Sequence, residues 1–107
     1  MTHFHYPEVV QKELERITHT GGEKIVSDEG STYIILGLGE RRTGGYAIEV
    51  VDITEQAGPV NSFILVKAKE IKPAPDAFVT QAFTYPTLVY RIPYTTLPIR
   101  IEWVRFK

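Results

Sequence analysis

The chain has 107 residues, no cysteine, and a formal net charge of −1 from 12 basic and 13 acidic side chains. That length is one domain, large enough to bury roughly two thirds of its unfolded surface without a disulfide or metal. The missing cysteine excludes disulfides, thiol catalysis and thiolate metal sites, and the balanced charge gives no general attraction to nucleic acid or anionic membranes.

No apolar run approaches the ~20 residues of a membrane helix. The opening MTHFHYPEVV has neither a basic start nor an apolar h-region, so it does not read as a secretory signal. The expectation is cytoplasmic for the sequence as given, and secreted or cell-surface if a signal has been removed.

Pro7 to about His19 reads as the one helix. Proline suits a first helical position, and Glu8 lies near the positive end of the dipole. Val10, Leu14 and Ile17 recur at helical spacing, while Gln11, Lys12, Glu13, Glu15 and Arg16 cover the other face. Gly21-Gly22 ends it. The stripe is narrow, as expected of a helix laid on a sheet.

After Gly22 the chemistry becomes that of strands. Lys24 to Val26 reads as a short edge strand. Thr32 to Leu38 is apolar on both alternating faces, the pattern of a strand covered on both sides. Gly37 in it and Gly39 just after it suggest a bulge or a close backbone approach. Tyr46 to Ile53 reads as the return strand. Between them Arg41-Arg42-Thr43-Gly44-Gly45 reads as a hairpin turn, with at least one of Gly44 and Gly45 at positive φ and both arginines facing water.

Asn61 to Ile71 reads as a long strand, with Ile64, Val66 and Ala68 on one face and Phe63, Leu65, Lys67 and Lys69 on the other. Pro73 and Pro75 stop it. Ala77 to Thr84 reads as a strand or an irregular crossing. Thr87 to Ile92 is a further strand, Pro93 to Pro98 a loop, and Ile99 to Phe106 the closing strand. In that last strand Ile99, Ile101 and Trp103 share a face, while Val104 and Phe106 lie opposite, so the burial changes sides or a bulge intervenes.

Short gaps between strands imply antiparallel neighbours. The expected fold is mainly β, or α+β. It is an antiparallel β-sandwich or partly closed barrel of about six strands with one N-terminal helix packed on it. Residues 1–107 form a single domain.

Catalytic patterns are lacking. His3 and His5 could reach one metal, but no carboxylate or further histidine near them in sequence completes a site. Ser27, Ser31 and Ser62 have no nucleophile signature, and Asp28-Glu29 reads as a solvated turn pair. The glycines do not form a phosphate-loop or dinucleotide fingerprint. Basic and aromatic residues interleave around Tyr90-Arg91, Tyr94 and Arg100 to Phe106, but such strand aromatics more often serve the core. No catalytic residue, metal or cofactor is expected, and no nucleic-acid partner or membrane segment.

The run GERRTGGYAIEVVDI, followed by a strand and KEIKPAPDAFVTQAFTYPTLVYRIP, resembles the C-terminal domain of the protease-complex subunit PrcB family. The resemblance spans about Ser31 to Pro93. It rests on the turn at Gly44, Gly45 and Tyr46, on Lys69 and Glu70, on Pro73 to Pro75, and on Val79, Thr80, Gln81, Tyr85 and Pro86. It implies a non-catalytic role in assembling or stabilising a protease complex. The implied partner is a protein, either a protease or its complex, and a second copy of the chain is a further option. Thr43 to Tyr46 and Arg91 to Tyr94 also echo the inhibitory loops of chagasin-like proteins, each interrupted by an extra residue. A small-ligand or enzymatic domain with a pocket between helix and sheet is the remaining alternative.

The expected docking rim joins three loops: Arg41, Arg42 and Thr43; Pro73, Pro75 and Asp76; and Pro93 with Tyr94. Loops after alternate antiparallel strands emerge at one end. Arginine and tyrosine make strong interface anchors, and proline loops lose little entropy on binding. Gly44, Gly45 and Tyr46 are expected to shape the turn.

Overall fold

The structure is a computed structural model that describes residues 6–104. Helix α1 runs Glu8–Thr20, with Pro7 at its N-cap (ψ 151°) rather than inside its first turn. The Pro7 carbonyl accepts the N–H groups of Val10 and Gln11 at 2.9 and 3.0 Å. At the other end the Gly21 N–H closes on the Ile17 carbonyl. Val10 and Ile17 are buried against Tyr33 and Ile35, with Leu14, Val26 and Val89 around them.

Among the described residues six strands follow: β1 (Gly22–Asp28), β2 (Ser31–Gly37), β3 (Ala47–Gln56), β4 (Phe63–Ile71), β5 (Thr87–Pro93) and β6 (Ile99–Trp103). They form two three-stranded sheets, ordered β1-β2-β5 and β3-β4-β6. β2 is central in the first sheet, and its alternation serves two cores. Tyr33 and Ile35 face the helix, whereas Ile34 and Leu36 face Val66 and Ala68 of the second sheet. Ile48, Val50, Ile53, Leu88, Ile92, Ile99, Ile101 and Trp103 surround that second core. The layers are therefore helix, sheet and sheet, and neither sheet closes into a barrel.

The far face of the second sheet needs no cover. Glu49 lies 3.9 Å from Lys69. Lys67 stands in register between Asp52 and Glu102, and the Arg100 guanidinium sits 4.6 Å over the Phe63 ring. Opposite charges side by side suit water.

Several expectations need correction. β2 and β3 lie in different sheets, so the segment at 38–46 is a crossover and not a hairpin turn. The pair β4–β6 is parallel; the chain between them travels through β5 in the other sheet, which supplies the long connection that parallel pairing needs. Ala77 to Thr84 is an irregular crossing with one isolated bridge, Arg41 to Thr84. A bulge does occur, but in β3 between Val50 and Asp52. It turns Val51 outward, 46% exposed, and restores Ile53 to the core. β6 ends at Trp103, and Phe106, like His3 and His5, lies outside the described residues. Among the described residues no helix is long and apolar enough to cross a membrane.

Gly37 marks a close approach of backbone to helix. A Cβ there would stand 2.5 Å from Ile17 Cγ2 and 3.0 Å from the Ile17 carbonyl oxygen. Only a residue without a side chain lets α1 sit this near β2.

Candidate protein-docking site

Two loops cross at the end of the molecule where β2 and β4 finish. One is the crossover from β2 to β3; the other is residues 72–86, between β4 and β5. Backbone bonds fasten them. The Leu38 N–H donates to the Pro86 carbonyl, Arg41 and Thr84 exchange N–H···O bonds at 2.8 and 2.9 Å, and the Gly44 N–H donates to the Thr80 carbonyl at 2.9 Å. The Thr84 hydroxyl adds a bond to the Thr43 carbonyl at 2.7 Å. Gly45 holds φ of +90°, and a Cβ there would meet Pro73 at 2.8 Å and Val79 at 2.9 Å. The glycine pair thus behaves as expected in one respect, positive φ at Gly45, but for a different purpose. It seats one loop on another.

Arg41 works inside this crossing. Its Nε donates to Glu70 Oε2 at 3.0 Å, and its Nη1 donates to the Leu38 and Glu40 carbonyls at 2.9 and 3.0 Å. The guanidinium also lies 5.7 Å from the Tyr46 ring centre. The Glu70 hydrogen bond holds its pKa above the usual arginine value, against the opposing pull of burial. Arg41 is half-buried, which corrects the expectation that both arginines face water; of the two, Arg42 alone is exposed. Nearby, the Tyr85 hydroxyl donates to Glu40 Oε1 at 3.2 Å, and its ring meets His19 edge-on at 5.4 Å.

Beside the exposed Lys72, Asp76, Thr80 and Gln81, the braced loop shows two phenylalanine rings to water. Phe78 is fully exposed and Phe83 is 63% exposed. Neither is among the site residues expected from the sequence. The signal for them is two phenylalanines in a proline-bounded stretch with no strand or helix period to bury them.

The rim expected from the sequence is partly assembled. Arg41, Arg42 and Thr43 share an end with Pro73, Pro75 and Asp76; Pro75 and Asp76 are exposed, while Thr43 and Pro73 pack in the crossing. Pro93 and Tyr94 are at the opposite end. In the β2–β5 register Thr87 pairs with Gly37 but Pro93 pairs with Ser31, and the Tyr94 N–H reaches the Gly30 carbonyl. The three loops would share one end only if Ala77 to Thr84 were a strand, and it is not. The same geometry separates the two chagasin-like echoes, so one end cannot present both.

Two open depressions flank the fold. One, about 620 Å³, lies between the sheets and is lined by Gly22, Gly37, Leu38, Arg41, Glu70, Lys72, Trp103 and Val104. Trp103 Nε1 donates to Glu23 at 3.3 Å beside it. The other, about 470 Å³, lies where α1 begins, between Tyr6, Glu8, Asp28, Glu29, Tyr33 and Arg91. Among the described residues no three histidines or carboxylates gather as a metal site.

Neither the curated proteins nor the solved structures contain a match to the chain. A family model does match, over residues 32–93, under the description PrcB C-terminal. That range runs from β2 to the end of β5 and contains both crossing loops. Because it covers more than half of the 107 residues, the chain belongs to the PrcB C-terminal family.

Proposed function

We propose that this chain is a non-catalytic docking domain that binds a protein partner, within a protease complex, through the 72–86 loop. The observation that carries the reading is Phe78, fully exposed on a loop whose backbone is fastened at Thr80 and Thr84. A free phenyl ring in water gains about 1.5–3 kcal/mol when a partner buries it. A loop already fixed loses little entropy on binding. Aromatic anchors at the centre of an interface carry much of its energy. Family membership supports the protease-complex setting.

The test is capture from extracts of the source cell, with the intact chain and with Phe78→Ser/Phe83→Ser as baits. The expected result is a protease or its subunit held by the intact chain and lost by the variant, with both baits equally folded. Equal capture by both, or no enriched protein, would count against the reading.

A further inference from the structure

The two sheets expose four outer edges, on β1, β5, β3 and β6. A bare edge is a template for another strand, and proteins guard such edges with charge, bulges or brevity. β1 carries Glu23, Lys24 and Asp28. β3 carries Glu49, Asp52 and Glu55 and is broken by its bulge. β6 has five residues, two of them charged. β5, Thr-Leu-Val-Tyr-Arg-Ile-Pro, has seven residues, one charge and an unbroken register with β2. It has the fewest charges of the four and no bulge, and its one proline, Pro93, stands at its last position.

The flanking bonds fix which of its groups point outward. Tyr94 donates to Gly30 and Leu38 donates to Pro86. Hydrogen-bonded and non-bonded pairs alternate along an antiparallel ladder. Continuing that alternation through the register, Leu88, Tyr90 and Ile92 bond inward to Leu36, Ile34 and Thr32. Thr87, Val89 and Arg91 therefore aim their N–H and C=O groups away from the sheet.

We propose that the β5 edge pairs antiparallel with β5 of a second copy, about a two-fold axis at Val89. In that register Val89 faces Val89 of the second copy and Thr87 faces its Arg91. Every outward N–H on the strand then finds a carbonyl. The sequence is self-complementary on both faces. On the helix side Val89 meets its own copy and the Arg91 side chain meets threonine, so no like charges are opposed. On the inter-sheet side Leu88 meets the Tyr90 ring, which is 40% exposed in the single chain and gains an aliphatic cross-strand neighbour. The β1-β2-β5 sheets of the two copies become one sheet of six strands. The surface is separate from the Phe78 loop and leaves it free.

Sedimentation equilibrium of the full chain over a concentration series tests this. The mass should rise toward twice that of one chain. Arg91→Pro removes an outward donor without touching the β2 ladder, and should weaken association at least tenfold. Phe78→Ser/Phe83→Ser should leave it unchanged, which separates this proposal from the docking role. Because the chain has no cysteine, Val89→Cys gives a second readout that does not depend on the proline variant folding. Paired Cα atoms at the axis lie about 5.5 Å apart, so mild oxidation should link two copies, whereas Val60→Cys, on an exposed turn, should link only slowly. A chain that stays monomeric throughout overturns the proposal. So does a dimer in which Val89→Cys links no faster than Val60→Cys.

Discussion

Arg41 Nε stands 3.0 Å from Glu70 Oε2, and the pair joins a crossover that leaves the first sheet to the end of β4 in the second. Both side chains are about three-quarters covered, at 28% and 24% exposure. Arg41 also occupies two backbone carbonyls of its own loop. Arg41→Ala leaves those carbonyls and a three-quarters-covered carboxylate without their donor, and should destabilise by about 1–3 kcal/mol. Arg42→Ala, on the exposed neighbour, should stay within about 0.5 kcal/mol. Urea denaturation of the two variants measures the difference. Arg41→Lys should rescue little, because an ammonium cannot reproduce the planar fork.

Gly45 should tolerate no side chain. Valine there meets both the positive φ and the side chains of Pro73 and Val79. Gly45→Val should cost about 1–3 kcal/mol from backbone strain alone, with the contact added. Thermal unfolding checks it, and Gly44→Ala should cost less, since its Cβ would lie 3.4 Å from Thr80 at an ordinary φ.

How much of this was legible in the sequence can be read from β2 and its neighbours. The two-faced apolar run at Thr32 to Leu38 identified a strand covered on both sides, because period-two burial is local. The helix from Val10 to Ile17 was legible for the same reason. What the run could not show is which strand lies beside it. Arg41 to Gly45 has the composition of a hairpin turn, yet it leads to a different sheet, and only the long-range bonds to Thr80 and Thr84 decide that. The exposure of Phe78 has the same cause. The proline-bounded stretch hints that no strand buries Phe78, but only the long-range bonds that pin the loop show that the ring faces water. The outward aim of Thr87, Val89 and Arg91 needed the observed register.

The Gly37 contact predicts a helix displacement. Gly37→Ala places a methyl group where Ile17 Cγ2 and its backbone carbonyl stand. The helix must shift or the strand must bend, at about 1–3 kcal/mol. Ile17→Ala removes Cγ2 itself, so Gly37→Ala should cost less in that background than in the intact chain. A double-mutant cycle by chemical denaturation measures the coupling.

Tyr85 should ionise above the ordinary tyrosine value of 10.0, because its hydroxyl donates to Glu40 and the neighbouring carboxylate opposes a phenolate. The sign of the linkage follows. With the folded pKa above the unfolded one, the stabilising contribution is complete below about 10 and disappears as pH rises through the folded value. Ultraviolet titration of the intact chain, with the curve of the Tyr85→Phe variant subtracted, gives the value, and Glu40→Gln should lower it.

The most direct measurement is the affinity of the captured protease component for the intact chain and for Phe78→Ser/Phe83→Ser, by calorimetry with both proteins shown to be folded. Docking through the 72–86 loop predicts a loss of about 100-fold or more, as truncating two aromatic anchors would give. An affinity within about twofold of the intact chain, where two anchors should each cost over about 1 kcal/mol, would contradict it.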